Sequence, residues 1–385
     1  MRLKEPAVFL NWQIALAPGA NPSVQHWLRT VCFFLLTVVA LHVSQAEARV
    51  HDATHNHYPG KHWTEASKPE DRGWSSDGLA AAKEYADSID TAAVVIVDDG
   101  AIVSQWGATS TKFNVHSIRK SFLSALYGLA VAKGQINLNA TLEKLGIDDN
   151  EPSLTPEEKQ ARVIDLLKAR SGIYHAALYE TPAMRAEKPP RGSHPPRSFW
   201  SYNNWDFNAL GTIYEKLTGD SIYHSFDAQI AQRIGMEDYD AKEQEYVTGP
   251  ESIHRAYPFR MSARDMARFG LLYLRNGRWR DSQLIPALWV RDSTTAYSVA
   301  DGNARDNYSG YGYLWWVAVN GNHYPNVELP DGSFSAWGAG GHFIAVIPAF
   351  NVVVVHRVNT DDPAKKVTLD QFGRLLRLIL AAKKH

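Results

Sequence analysis

Two predicted β-hairpins lie at opposite ends of the chain, and they limit the possible folds more strongly than any other feature. The first pairs residues 92–97 (AAVVIV) with 101–106 (AIVSQW), and the second pairs 343–347 (FIAVI) with 352–356 (VVVVH). Valine and isoleucine favour strands, and the Asp-Asp-Gly between the first two runs is typical of a tight turn. Because apolar strands bury their faces in a common layer, we expect both hairpins to join one antiparallel sheet.

The chain between the hairpins is predicted to be mostly helical. Good helix formers and apolar periodicity also predict a helix over 77–90 and a closing helix over about 367–382. The expected fold class is therefore α+β, with an antiparallel sheet built from both chain ends, flanking helices and an inserted helical lobe. The predicted divisions are a signal peptide (1–48), a flexible lead-in (49–62), a discontinuous α/β domain (63–117 and 291–385) and a mainly helical lobe (118–290).

Composition is typical of a globular protein with a large core. Of the 385 residues, 45% are hydrophobic and 21% are charged, and the net charge is −1. Nucleic-acid-binding domains usually carry a basic surplus, so we expect no nucleic-acid partner. Nothing in the composition implies a stable protein partner.

The beginning of the chain has the pattern of a secretory signal. Arg29-Thr30 precedes an apolar run over 31–43, and an A-x-A step follows at 46–48. We expect export to the periplasm or secretion, with an uncleaved membrane anchor as the alternative. Cys32 is the only cysteine and lies inside the apolar run. Cleavage would leave a chain without disulfides, thiol nucleophiles or thiolate-rich metal sites.

The first candidate site is the stretch VHSIRKSF, residues 115–122. A strongly apolar helix follows it, so Ser117 should lie in the first turn of a buried helix, where free backbone N–H groups can stabilise an oxyanion. Lys120 lies three residues on and therefore on the same face. Burial would lower its pKa and allow the amine to accept the serine proton. The alternative is an ordinary helix start with an exposed lysine, because a lone S-x-x-K is weak evidence.

The second candidate stretch is FWSYNNWDFNAL, residues 199–210. A phenol at Tyr202, with its pKa lowered by a nearby lysine cation, could shuttle a proton between serine and leaving group. The amide of Asn204 could hold the lysine and the substrate carbonyl. The alternative is a polar turn before a helix. A competing Tyr-x-Asn at 324–326 contains a proline and is predicted to be a surface loop.

The third candidate stretch is SAWGAGGHFIAVIP, residues 335–348. Gly340 and Gly341 lead into a strand, and glycines at a strand edge permit close approach of a ligand. The N–H of His342 is the expected second oxyanion donor, with its ring as a substrate or supporting contact and a general base as the alternative role of the ring. The alternative is a glycine-rich turn into a core strand.

These three stretches, in this order, resemble the serine β-lactamase and penicillin-binding-protein superfamily, and most of all its class C-like branch of esterases, amidases and 6-aminohexanoate-dimer-type hydrolases. The resemblance implies that Ser117 is the acylated nucleophile, that Lys120 and Tyr202 act as base and acid, and that Asn204 orients groups in the site. It also implies an oxyanion hole from the N–H groups of Ser117 and His342.

One departure from the family pattern bears on the substrate. The third motif of the family is usually Lys-Thr-Gly, or has histidine in place of the lysine, whereas this chain reads Ala339-Gly340-Gly341. In the family, the lysine and threonine help to bind the carboxylate of penicillins and of D-Ala-ended peptides. We therefore expect a differently charged or uncharged substrate, with Arg119, Arg170 and His175 as further candidates for recognition.

The leading expectation is a serine hydrolase that cleaves a small ester or amide through an acyl-enzyme. The first alternative is a true β-lactamase or D-Ala carboxypeptidase, and the second is a non-catalytic binding module on the same fold. The expected chemistry needs no metal and no organic cofactor.

Overall fold

The computed structural model describes residues 57–299 and 309–384 of the chain. The predicted signal peptide, its A-x-A step and Cys32 lie outside the described residues, and so does the lead-in as far as residue 56. No helix among the described residues is long and apolar enough to cross a membrane.

The main sheet has eight strands in the order β2-β1-β14-β13-β12-β11-β10-β9, and all of its neighbouring pairs are antiparallel. Its strands are β1 (Ala93–Asp98), β2 (Ala101–Gly107), β9 (Ser298–Val299), β10 (Ser309–Tyr311), β11 (Trp316–Ala318), β12 (Phe334–Gly338), β13 (His342–Ile347) and β14 (Val352–Arg357). Both predicted hairpins are present, and β1 pairs directly with β14. The expected sheet built from both chain ends is therefore confirmed.

Six short strands form three separate two-stranded ladders. They are β3 (Phe113–Asn114) with β6 (Arg260–Met261), β4 (Val247–Gly249) with β5 (Ser252–Ala256), and β7 (Arg278–Trp279) with β8 (Ser282–Gln283). The pairing of β3 with β6 matters most for the site, because β3 leads directly into the stretch that contains Ser117.

The α-helices include the two predicted at the ends of the described chain and a series in the middle. They are α1 (Ser76–Asp87), α2 (Arg119–Ala132), α3 (Leu142–Leu145), α4 (Val163–Leu167), α5 (Pro182–Glu187), α6 (Asn204–Thr218), α7 (Ile222–Phe226), α8 (Gln232–Ile234), α9 (Ala263–Leu274), α10 (Ala287–Ser293) and α11 (Leu369–Ala381). A π-helical turn over Asp227–Ala231 joins α7 to α8.

Helices cover both faces of the main sheet. Phe372 of α11 stacks on Phe343 of β13, with ring centroids 4.1 Å apart. Gly270 of α9 packs so closely on the sheet that a Cβ there would lie 2.9 Å from Ile344 and 2.6 Å from Val353. Because side chains alternate along a strand, Phe343 and Ile344 face opposite sides, and so do the two helices.

The helix α9 lies inside the range 118–290 that the sequence assigned to the helical lobe, yet it packs against the main sheet. Its tight contact depends on Gly270, whose missing side chain leaves room for two apolar strand residues. The division into an α/β domain and a helical lobe stays a prediction.

Candidate active site

Ser117 lies in a 3₁₀ turn, His116–Ile118, that passes directly into α2. The helix is buried over most of its circumference, as its apolar sequence predicts. Lys120 is in the first turn of α2 and is only 2% exposed. Its Nζ atom lies 2.7 Å from Ser117 Oγ. The spacing of three residues therefore brings amine and hydroxyl into hydrogen-bond contact.

Tyr202 completes a group of three polar side chains. Its phenol oxygen lies 2.7 Å from Lys120 Nζ, on the same nitrogen that contacts Ser117. The tyrosine ring stacks on Trp316 of β11 at a centroid distance of 5.4 Å and contacts Phe207 of α6 at 4.9 Å. Aromatic packing from a strand and a helix thus fixes the phenol above the lysine.

Burial disfavours the charged form of both Lys120 and Tyr202. It lowers the pKa of Lys120 well below its usual value of 10.5, and the nearby charge of Arg119 lowers it further. Burial raises the pKa of Tyr202 to about 12, against the opposing effects of a hydrogen bond with Ser117 and the charge of Arg119. The expected lowering of the Tyr202 pKa is therefore wrong, because desolvation outweighs the charges around the phenol.

Asn204 is the first residue of α6 and is buried. Its side-chain nitrogen donates to the backbone oxygen of Tyr179 at 2.5 Å, and its Oδ1 has no hydrogen-bond partner among the described residues. The amide thus ties α6 to the segment around Tyr179, and it does not line the cleft described below.

A glycine-rich turn between β12 and β13 faces Ser117 across a cleft. Gly338, Ala339, Gly340 and Gly341 line the cleft together with Ser117. A Cβ on Gly338 would lie 2.4 Å from the backbone oxygen of Val115, so only glycine allows this approach to the serine segment. Gly340 and Gly341 have φ values of 85° and 104°, which glycine alone adopts without strain.

His342 is fully buried and is not part of the cleft lining. Its Nδ1 accepts a hydrogen bond from Arg357 Nε at 2.9 Å, and its Nε2 lies 3.2 Å from Thr360 Oγ1. Burial lowers its pKa well below 6.5, with a further contribution from Arg357. The imidazole therefore lies on the side of the glycine-rich turn that faces away from the cleft, and it does not line the cleft.

The cleft beside Ser117 has a volume of about 490 Å³, and six aromatic residues contribute to its walls. The rings of Trp316 and Trp337 stack 4.4 Å apart and form one wall with Tyr202, while Phe199 and Trp200 contribute from the preceding segment. Sequence reasoning did not assign these aromatic residues to the cleft, although Phe199, Trp200 and Trp337 lie in the second and third candidate stretches; Trp316 lies outside all three.

Two charged residues line the cleft, and both belong to or follow α5. Lys188 pairs with Glu180 at 2.6 Å, and Glu187 is exposed and has no ion pair with another described residue. The described lining therefore contains no unpaired cation. Arg119, Arg170 and His175, the other candidates for recognition, do not line the cleft.

Three polar residues near the serine carry no signal in the sequence, or only a weak one. Arg119 is fully buried; its Nη2 donates to Asn208 Oδ1 at 2.7 Å, and its guanidinium lies 4.2 Å from the ring centroid of Tyr257. His116, next to Ser117, has a positive φ of 50°, and its Nε2 lies 2.8 Å from Thr360 Oγ1. Thr360 follows β14 and could not be connected to the serine without the fold.

The described residues contain no group of three or more histidine, cysteine or acidic side chains that could hold a metal ion. The groups that meet at Ser117 are a hydroxyl, a buried amine and a phenol, which together suit proton transfer and nucleophilic attack.

The solved structures that resemble this chain share its fold at low sequence identity. A Bacillus anthracis protein described as a candidate 6-aminohexanoate-dimer hydrolase matches with a TM-score of 0.61 and 22% identity, over 85% of this chain and 88% of that one. A penicillin-binding protein from Bacillus halodurans matches with a TM-score of 0.56 and 16% identity, over 78% of this chain and 99% of that one.

Sequence comparison points the same way. An uncharacterized protein from Alkalihalophilus pseudofirmus is 21% identical over 299 residues, which is 70% of this chain and 84% of that protein. The profile of the Beta-lactamase family matches residues 42–378. Family and fold together point to a serine hydrolase of the β-lactamase type. This chain belongs to the Beta-lactamase family.

Proposed function

We propose that the protein hydrolyses a small, uncharged ester or amide through an acyl-enzyme formed on Ser117. The observation that carries the proposal is the position of Lys120 Nζ, 2.7 Å from both Ser117 Oγ and the Tyr202 hydroxyl, at one side of an open cleft. Nucleophile, base and acid are thus within hydrogen-bond contact before any substrate is bound.

Acylation follows from this geometry. The neutral amine of Lys120 takes the proton of Ser117 as the serine oxygen bonds to the substrate carbonyl carbon, and the carbonyl oxygen becomes an oxyanion. When the intermediate collapses, the bond to the leaving group breaks, and Tyr202 passes its proton to that group while recovering one from Lys120. Water then repeats the sequence on the acyl-enzyme and releases the acid.

The oxyanion needs two N–H donors that point into the cleft. We propose that Ser117 supplies the first and that the turn before β13 supplies the second. Gly341 N–H already donates to Gly338 O at 3.3 Å, whereas the N–H groups of Ala339 and Gly340 have no backbone acceptor among the described residues. Because the turn residues line the cleft and His342 does not, we propose a turn N–H as the second donor in place of the His342 N–H that the sequence predicted.

The cleft walls support a substrate with an apolar acyl or leaving group. The stacked rings of Trp316 and Trp337 offer a flat surface for an aromatic or alkyl group. The described lining has no unpaired cation to bind a carboxylate, and the exposed carboxylate of Glu187 would repel one. We therefore place β-lactams and D-Ala-ended peptides, both of which carry a carboxylate, below neutral esters and amides. The 6-aminohexanoate dimer named for one similar structure has an amide bond but also a carboxylate, so it supports an amide as the bond cleaved but not a charged substrate for this cleft.

The test is a burst experiment with p-nitrophenyl acetate and butyrate on the mature protein, on Ser117→Ala and on Ser282→Ala. Ser282 is exposed in β8 and serves as the matched control. We expect a burst and an acyl adduct by intact mass in the wild type and the control, and neither in Ser117→Ala. Equal turnover by all three proteins, or no adduct in any, would support the non-catalytic binding module instead. Rapid turnover of nitrocefin would favour a true β-lactamase.

We also propose that the enzyme is exported. The support is the basic flank, apolar run and A-x-A step over 29–48. Expression of the full chain followed by N-terminal sequencing of the purified protein should give a start at Arg49. A product that keeps residues 1–48 and sediments with membranes would indicate an uncleaved anchor.

A further inference from the structure

His116 holds a strained conformation immediately before the proposed nucleophile. Its φ of 50° is in the left-handed region, which costs a residue with a side chain free energy unless its surroundings hold it there. Two contacts do so: its N–H donates to Asn114 Oδ1 at 2.9 Å, and its Nε2 lies 2.8 Å from Thr360 Oγ1. The direction of the next N–H, that of Ser117, therefore depends on these contacts.

Thr360 contacts both sides of the proposed oxyanion site. Its hydroxyl lies 2.8 Å from His116 on the serine side and 3.2 Å from His342, which follows the glycine turn. Its Cγ2 lies so close to the turn that a Cβ on Gly340 would be 2.5 Å from it. One side chain thus joins the segment before Ser117 to the turn that faces it.

The hydrogen bonds form a chain with a fixed direction. The Arg357 guanidinium can only donate, so His342 Nδ1 accepts, and the ring proton is on Nε2, which donates to Thr360. The Thr360 hydroxyl then donates its own proton to His116 Nε2. Burial and the charge of Arg357 lower the pKa of His116 to about 4, so the ring is neutral and its Nε2 can accept.

We propose that His116, Thr360 and His342 form a brace that fixes the distance between the two oxyanion donors, the N–H of Ser117 and the N–H groups of the glycine turn. The inference rests on the proposed function and names positioning residues for it. None of the three residues lines the cleft, so the brace acts by holding two backbone segments that are more than two hundred residues apart in the chain.

A matched pair of variants at Thr360 tests the brace. Thr360→Val keeps the methyl contact with Gly340 and removes the hydroxyl, whereas Thr360→Ser keeps the hydroxyl. A displacement of reacting groups by about 1 Å costs up to about 100-fold in rate. We expect Thr360→Val to lower kcat for p-nitrophenyl butyrate by about 10- to 100-fold with little change in KM, and Thr360→Ser to stay within about 3-fold of wild type.

Phenylboronic acid gives a second readout, because its tetrahedral adduct with Ser117 places an oxygen between the two donors. Its inhibition constant should rise in Thr360→Val by the same factor by which kcat falls. Adding Thr360→Val to His116→Ala should cost little more than His116→Ala alone, since both changes break the same chain. His116→Ala alone provides the test if Thr360→Val fails to fold by circular dichroism.

The outcomes separate the brace from the proposed function. A wild-type enzyme that forms the Ser117 adduct, with Thr360→Val equal to it in kcat and boronate affinity, would overturn the brace and leave the hydrolase intact. Fully additive losses in the double variant would also overturn it. A wild-type protein that forms no adduct at all would overturn both.

Discussion

The amine nitrogen of Lys120 lies 2.7 Å from the phenol oxygen of Tyr202, at a position almost closed to water. The same nitrogen is 2.7 Å from Ser117 Oγ, so one amine contacts both the proposed nucleophile and the proposed acid. Burial disfavours the charged form of both the lysine and the tyrosine. A neutral amine between two hydroxyl groups can pass a proton in either direction, which is what acylation and deacylation require.

Removing either proposed proton-transfer group should slow acylation strongly. We expect Lys120→Met and Tyr202→Phe each to slow the burst phase by about 10²- to 10⁴-fold, the usual contribution of a positioned acid or base. Phenylalanine at 202 retains a ring to stack on Trp316, so the loss reports the hydroxyl. Stopped-flow kinetics with p-nitrophenyl butyrate measures the effect, and Lys133→Met, at an exposed lysine, is the control. If the burst rate of Lys120→Met is within tenfold of the wild-type rate, another residue must act as the base.

The pH dependence of kcat/KM should change when the charge of Arg119 is removed. As a base, Lys120 is active when neutral, so acylation should increase as pH rises through its pKa, which burial and the Arg119 charge hold well below 10.5. Arg119→Met removes that charge and should raise the pKa of Lys120, so the acid limb of kcat/KM moves to higher pH and activity at neutral pH falls. Arg119→Lys keeps the charge and should retain the wild-type profile. A uniform loss at every pH would assign Arg119 a purely structural role.

The charge at the cleft rim should select against anionic substrates. Glu187 is exposed and lines the cleft. We expect wild type to prefer p-nitrophenyl butyrate over the hemisuccinate, which has a carboxylate at the end of its acyl chain. Glu187→Lys should raise the ratio of hemisuccinate to butyrate kcat/KM by a few-fold, and less at high salt, because exposed charges are screened. The same ratio in both proteins would mean that the acyl chain does not pass this residue.

Buried neutral histidines should make the fold sensitive to acid. Burial lowers the pKa of His323 to about 3 and that of His356 to about 4. Below pH 6.5 the unfolded chain binds protons at these positions and the folded chain does not, so stability falls as pH decreases from 6.5 toward 4. The loss is about 1.4 kcal/mol for each pH unit and each histidine.

Urea unfolding between pH 7 and 5 measures this dependence. Asp265, whose pKa burial raises to about 6, has the opposite effect, so the informative quantity is the difference between wild type and His323→Gln. In the variant, the unfolding free energy should fall less steeply with decreasing pH, and the difference in slope should correspond to about one bound proton. Parallel curves for the two proteins would show that folding does not lower the pKa of His323.

Local patterns in the sequence predicted much of the scaffold. The strands expected at 92–97 and 101–106 appear as Ala93–Asp98 and Ala101–Gly107, and the closing helix expected over 367–382 appears as Leu369–Ala381. Apolar periodicity and turn residues within a short window specify such elements, so their bounds differ by only one or two residues. The prediction that the competing Tyr-x-Asn at 324–326 is a surface loop was less accurate, because Tyr324 is buried and accepts a hydrogen bond from Trp337.

The candidate site was predictable only where its parts are close in the chain. The Ser117–Lys120 contact follows from a spacing of three residues in a helical segment, which puts both side chains on one face. Tyr202 was predicted from the chemistry of its phenol and from the family resemblance, but its contact with Lys120, 82 residues earlier in the chain, depends on the fold. The positive φ of His116 and the contacts of Thr360 gave no signal at all, because they depend on packing between β14, the glycine turn and the serine segment.

The sequence by itself determined where most helices and strands lie and that Lys120 is one helical turn from Ser117. It also determined that the third motif has no cationic side chain. Each of these is a property of a few neighbouring residues. The tertiary structure decided which distant groups meet and in which direction burial shifts their pKa values. It brings the Tyr202 hydroxyl into hydrogen-bond contact with Lys120 and keeps His342 out of the cleft lining. It also raises the pKa of Tyr202, where the sequence predicted a lower value. The physical reason is that burial depends on the packing of the whole chain, and desolvation outweighs the local charges that a sequence pattern reveals.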